Sequence, residues 1–144
     1  MDLEDGGQLA LDWSFPRDFV KQSDFKDSPI LCLFPGLTGC SSDIYILNSI
    51  TKAHEHNYVC VVINHWGAPG TILTSPKLYN AASSDDVRSA LNYIHRSKPH
   101  QDMFAIGFSL GANLLTKYLG EEGENSFLIG AAAISNPWNF ATCY

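Results

Sequence analysis

Hydrophobic and polar positions change their period several times along this chain, and each change marks an element. Leu9, Leu11 and Trp13 alternate with Gln8, Ala10 and Asp12, a period-two pattern that predicts a half-buried strand. Residues 14–29 are polar and carry Pro16 and Pro29 among Asp18, Lys21, Asp24, Lys26 and Asp27. This composition predicts a solvated loop with room for one short strand. Residues 30–34 (Ile-Leu-Cys-Leu-Phe) are continuously apolar, as in a strand covered on both faces. They run into the turn-forming stretch Pro35-Gly36-Leu37-Thr38-Gly39. Ile44, Leu47, Ile50 and Ala53 recur at helical spacing, and Asn57 closes that helix. Residues 58–63 form a second buried run, ending at Asn64-His65-Trp66-Gly67. Strand, helix, strand in this order predicts a right-handed parallel βαβ unit.

Residues 68–82 read as a long loop punctuated by Pro69, Gly70 and Pro76. Ser83 or Ser84 then caps a helix with Asp85 and Asp86 in its first turn, where the helix dipole favours carboxylates. Val87, Leu91 and Ile94 give its apolar face, and Pro99 ends it. Met103 to Ile106 make another buried strand. The helix after it buries Leu110, Leu114, Leu115, Tyr118 and Leu119, with Gly120 as its stop. Residues 127–134 are the last strand, ending at Ser135-Asn136-Pro137. Strands alternating with helices, without internal repeats, predict a doubly wound α/β domain with a mostly parallel sheet.

Composition narrows the function classes. The 144 residues suit one domain with a core of its own. The net charge of −6 is spread along the chain with no cluster of Lys and Arg, which argues against nucleic acid as a partner. Cys32 and Cys60 lie inside apolar runs, Cys40 and Cys143 lie outside them, and no Cys-x-x-Cys pair or zinc spacing occurs. Reduced thiols in intracellular surroundings are the simpler expectation. No apolar run is long enough to span a membrane, and the acidic start Met1-Asp-Leu-Glu-Asp lacks the plan of a signal peptide. No metal-ligating cluster and no phosphate-cradling Gly-Lys motif appears, so no metal or cofactor is expected.

Candidate chemistry sits at residues 107–111, Gly-Phe-Ser-Leu-Gly. A serine between two glycines, after a strand and before a helix, is the pattern of a nucleophile elbow. Gly107 and Gly111 are the residues that leave the tight turn free of side chains, and Ser109 is the candidate nucleophile. An incidental serine in a glycine-rich turn is the alternative. The backbone N–H of Leu110 at the helix start and that of Leu37 in the earlier turn are the candidate donors to an oxyanion. The base is harder to find. After Ser109 the chain contains no His and no Asp, and Glu121, Glu122 and Glu124 are expected to be solvated caps at the far end of the helix. His54 and His56 are assigned to the last carbonyls of their helix, and His95 and His100 to the surface. His65 follows a strand at the edge where open α/β sheets bind ligands, so it is the histidine that could line the site; a structural role is the alternative. Asp85 and Asp86 are read as dipole partners and loop anchors rather than catalytic acids.

Several segments in order carry a resemblance: Phe34-Pro-Gly-Leu-Thr-Gly, Tyr58-Val-Cys-Val-Val-Ile-Asn-His-Trp-Gly, Leu73-Thr-Ser-Pro-Lys-Leu-Tyr, Asp85-Asp86 and Gly107-Phe-Ser-Leu-Gly-Ala-Asn, with Tyr118-Leu-Gly-Glu and Asn136-Pro-Trp-Asn. From about Gly6 onward the chain resembles the α/β-hydrolase-fold family that includes the ABHD1/2/3 group, the embryogenesis-associated EMB8-like proteins and the YheT-like esterases. The resemblance implies a serine esterase or lipase acting on acylglycerol, phospholipid or other acyl esters. Ser109 would be the nucleophile, with Leu37 and Leu110 as oxyanion donors. Many members have Arg where Trp66 stands, and many carry an N-terminal membrane anchor, which makes membrane association an expectation from resemblance alone. The family's catalytic Asp and His would lie beyond Tyr144, so the chain is expected to be the N-terminal part of the fold, ending after its sixth strand, with little or no turnover. The rival expectations are a non-catalytic chain that binds a partner or itself through the edge of its last strand, and a small-molecule binding module at the strand ends.

Overall fold

The computed structural model describes residues 1–3, 6–18, 26–68, 74, 76 and 80–139. Most of the loop 68–82 and of the segment 73–79, part of the polar stretch 14–29, and Cys143 lie outside them. The elements are β1 (Ala10–Ser14), β2 (Ile30–Phe34), α1 (Ile44–Glu55), β3 (Val59–Asn64), α2 (Asp85–Ser97), β4 (Met103–Phe108), α3 (Leu110–Glu122) and β5 (Leu128–Ile134). The strands form one five-stranded sheet in the order β1-β3-β2-β4-β5. β2, β3, β4 and β5 run parallel, while β1 pairs antiparallel with β3. A bridge between Asp2 and Gln8 precedes them.

Alternation along each strand sorts the side chains into two cores. Ile30, Cys32 and Phe34 of β2, with Val61, Ile63, Met103 and Ala105, pack against Leu91 and Ile94 of α2 and Leu115 and Tyr118 of α3. Leu31 and Leu33, with Cys60 and Val62, pack against Ile46 of α1. The continuous apolar runs of β2 and β3 are therefore explained by helices on both faces. Burial pushes the Cys60 thiol up to about 12 and the Cys32 thiol higher still, so both are inert core residues.

The chain order also creates a crevice. From β2 the chain crosses over one face through α1 to β3; from β3 it crosses the other face through α2 to β4, on the far side of β2. The turns leaving β2 and β4 thus part to opposite faces, and ligands of open α/β sheets bind at such a switch point.

Local readings needed correction in four places. Helix α3 runs through Gly120 and ends at Gly123, whose φ of 55° is the left-handed conformation that stops it. Ser84 stands at the start of α2 without capping it, because its hydroxyl bonds the Glu121 carboxylate instead. Glu121 and Glu122 are tied rather than solvated. Arg88 Nη2 and Nε donate to them at 2.8 and 2.6 Å, and Lys117 pairs with Glu121 at 2.5 Å. The Arg88 contacts pin α3 to α2. His54 and His56 do not reach the last carbonyls of α1, since the backbone N–H groups of His56, Asn57 and Tyr58 already occupy those of Ala53 and His54. The His54 Nε2 is buried and has no hydrogen-bond partner among the described residues. In the last turn of α2, His95 stacks on Phe127 with ring centroids 3.9 Å apart.

Candidate active site

Ser109 sits between the last residue of β4 and the first of α3 with φ 51° and ψ −114°. A side chain rarely adopts this backbone, and holding it there costs on the order of 1–3 kcal/mol. Two anchors keep it in place. The Ser109 N–H donates to the Ile134 carbonyl at the end of β5 (2.9 Å), and the Ser109 carbonyl accepts the Asn113 N–H as the first bond of α3 (3.1 Å). The side chain makes no cap hydrogen bond and the residue is exposed. Among the described residues its hydroxyl has no partner, and it stands at the positive end of a helix.

The glycines on either side are required by contact. A Cβ on Gly107 would lie 2.5 Å from the Gly111 carbonyl oxygen and 2.6 Å from the Ala112 Cα. On Gly111 it would lie 2.2 Å from the Phe34 carbonyl oxygen. The elbow is thus pressed directly onto the end of β2.

That end carries the second half of the site. A Cβ on Gly36 would come within 3.3 Å of the Ser109 Cβ, so the Pro35–Gly39 turn and the elbow are neighbours. Most polar groups of the turn are committed. The Gly36 N–H donates to the Tyr45 hydroxyl (3.1 Å), the Gly39 N–H to the Gly36 carbonyl (3.0 Å), and the Cys40 N–H to Asp43 Oδ2 (3.1 Å). The Leu37 N–H has no acceptor among the described residues, and its side chain is 65% exposed. Leu110, at the first position of α3, likewise has an N–H with no intrahelical partner. These are the two amides proposed from sequence, on adjoining turns at one end of the sheet.

His65 lies behind the turn. It is buried, and its Nε2 donates to the Pro35 carbonyl at 2.9 Å. Burial holds the imidazole below its ordinary pKa, partly offset by the Pro35 bond and the nearby Asp86 carboxylate. Among the described residues, the Ser109 hydroxyl has no imidazole or carboxylate partner. Asp85 bonds Ser83 and pairs with Arg88, away from the elbow. Trp66 is 3% exposed and lies against Gly7, where a Cβ would fall 1.7 Å from the ring.

Four residues of this neighbourhood escaped sequence reasoning. Asn64 donates to Asp12 (2.8 Å) and accepts the Ser41 N–H (3.0 Å), tying the loop after the turn to β1 and β3. A polar residue closing an apolar strand at its C-terminal edge was a legible hint. Asp12 looked like the solvent side of an alternating strand. Tyr45 and Asp43 gave no sign of their role.

A sheet of this order, with a strained serine on the β4–α3 turn and free amides beside it, decides the architecture. The chain has the α/β-hydrolase fold. No family model matches it. It is 37% identical over 139 residues to mouse phospholipase ABHD3, covering 96% of this chain and 34% of that protein. Its identity to the monoacylglycerol lipase of Saccharomyces cerevisiae is 34% over 138 residues, 92% of this chain and 30% of that protein. The structure of Est1E from Butyrivibrio proteoclasticus with ferulic acid bound superposes with a TM-score of 0.73 at 16% identity, over 92% of this chain and 50% of the other. The chain thus spans about a third of the length of these curated relatives. Among the described residues no helix is long and apolar enough to cross a membrane, and no group of three His, Cys, Asp or Glu side chains could hold a metal ion.

Proposed function

We propose that this chain is part of a serine hydrolase that cleaves carboxylic esters of lipids, acylglycerols or phospholipids, with Ser109 as nucleophile. The observation that carries the reading is the Ser109 backbone itself: φ 51°, ψ −114°, in a residue other than glycine, with the hydroxyl uncapped and, among the described residues, no acceptor for the Leu37 and Leu110 amides. The ester substrate class is supported by the names of the phospholipase and monoacylglycerol lipase relatives. In the proposed reaction Ser109 Oγ attacks the ester carbonyl carbon and its proton passes to a base. The carbonyl oxygen becomes an oxyanion, which the two N–H groups stabilise. The alcohol leaves with the proton, and water then hydrolyses the acyl-serine. One such donor is worth about 10²–10³ in rate.

His65 is committed to Pro35, and no His or Asp follows Ser109. We therefore infer that the base and its orienting acid come from outside these 144 residues, and that the chain alone turns over poorly. A site with oxyanion donors and no triad base retains about 10³–10⁴ of acceleration over water. The test is a fluorophosphonate probe on the purified protein. Slow labelling confined to Ser109, lost in Ser109→Ala and faster with added imidazole as external base, is the expected result. Labelling spread over several serines, or none above that of free serine, would sink the reading.

A second reading is self-association through β5. This strand is an edge of the sheet, and it exposes Ile129 by 63% and Ile134 by 44%, with Trp138 beyond it exposed by 78%. On the α1 side an apolar groove of about 620 Å³ opens over β4 and β5, lined by Phe104, Ile106, Ala131 and Ala53. Ser109 is not part of it.

A further inference from the structure

We propose that Tyr45 is a positioning residue of the hydrolytic site, resting on the reading of Ser109 as nucleophile: its hydroxyl takes the Gly36 N–H and so leaves the Leu37 N–H as the amide the turn offers to an oxyanion. Tyr45 sits in the first turn of α1 and touches both halves of the site. Its oxygen accepts the Gly36 N–H at 3.1 Å. Its ring meets Phe108, the residue before the nucleophile, edge-on at 4.9 Å between centroids. The Asp43 carboxylate stands on the same side of the turn, since both it and the Tyr45 oxygen face Gly39. Burial and Asp43 together hold the phenol protonated above its ordinary range, against the opposing Gly36 bond.

The arrangement is tight on the other side too. A Cβ on Gly39 would lie 2.5 Å from the Tyr45 oxygen and 3.0 Å from Asp43 Oδ2, so both groups are wedged into the concave side of the turn. His65 holds the Pro35 carbonyl and Asp43 holds the Cys40 N–H. Of these contacts only Tyr45 joins the turn to the elbow strand. It fixes the turn relative to Ser109, and it occupies the Gly36 N–H beside Leu37.

The test pairs Tyr45→Phe with Tyr58→Phe. Tyr58 is the other tyrosine on this face, edge-on to Phe104 at 5.7 Å and outside the site. Tyr45→Phe keeps the ring on Phe108 and removes only the hydroxyl. Its expected effects are amide exchange of Gly36 faster by roughly tenfold, and a Ser109 phosphonylation rate constant at saturating probe lower by about tenfold to a hundredfold with unchanged probe affinity. Tyr58→Phe should change neither. Unchanged Gly36 exchange in Tyr45→Phe overturns the tether. Faster exchange with an unchanged phosphonylation constant makes Tyr45 merely structural and overturns the positioning role. Wild-type protein whose Ser109 does not react selectively defeats the hydrolase reading instead, and the positioning role falls with it even where the exchange arm shows the tether.

Discussion

Ser109 and Gly111 show how one residue's backbone sets the chemistry of its neighbour. The left-handed φ of Ser109 persists because α3 begins immediately after it and β5 captures its N–H. The sharp turn then brings the first residues of α3 against the end of β2, where only glycine fits. Gly111→Ala forces a Cβ to within 2.2 Å of the Phe34 carbonyl, backbone that cannot step aside cheaply. Denaturant unfolding should show a loss of about 1–3 kcal/mol, and the displaced turn should slow phosphonylation of Ser109. Gly120, in the same helix, is the contrasting case. A Cβ there meets nothing within 4 Å, so Gly120→Ala should add about 0.5–1 kcal/mol of stability through helix propensity. A result in which both substitutions destabilise equally would show that the elbow contact is not what constrains Gly111.

At the scale of elements, the α2–α3 pair and β5 behave in opposite ways. α3 is held on both flanks, by the apolar stripe on the sheet side and by the ion pairs of Arg88 with Glu121 and Glu122 toward α2. Among the described residues β5 pairs with β4 alone and its other side carries no strand. Edge strands without charge or proline are templates for pairing, and β5 (Leu-Ile-Gly-Ala-Ala-Ala-Ile) has neither. Self-association through this edge predicts a species larger than one chain on size-exclusion chromatography, returned to a monomer by Ile129→Lys. A wild-type protein that elutes as a stable monomer at high concentration would count against it.

At the scale of the molecule, pH probes the same site. His65 is held below its unfolded pKa by burial, so it binds fewer protons folded than unfolded. Its stabilising effect is complete above the unfolded value, about 6.5, and is lost as pH falls from there through the folded value. Glu121 is held down to about 2 by Lys117, Ser84 and Arg88, so its contribution is present above the unfolded carboxylate value and is lost as pH falls toward 2. Acid unfolding should therefore begin with a shallow loss below about pH 6.5, followed by a steeper one in the carboxylate range. His65→Gln should flatten the first limb and leave the second. A first limb unchanged by His65→Gln would assign it to another group.

Much of this was legible in the chain itself. Apolar runs at 30–34 and 58–63, alternation before them and helical spacing between them determined the elements and the doubly wound α/β class, because period and burial follow from local geometry. The Gly-x-Ser-x-Gly pattern located the elbow for the same reason, since the turn excludes side chains at those two positions. What only the tertiary structure decided was which distant groups meet. Tyr45 accepts Gly36, His65 backs Pro35, Ser84 turns from capping α2 to Glu121, and Asn64 joins Asp12. Each is a side chain reaching a partner on another element, with direction and distance set by sheet order and helix packing, and these leave no periodic trace in the sequence.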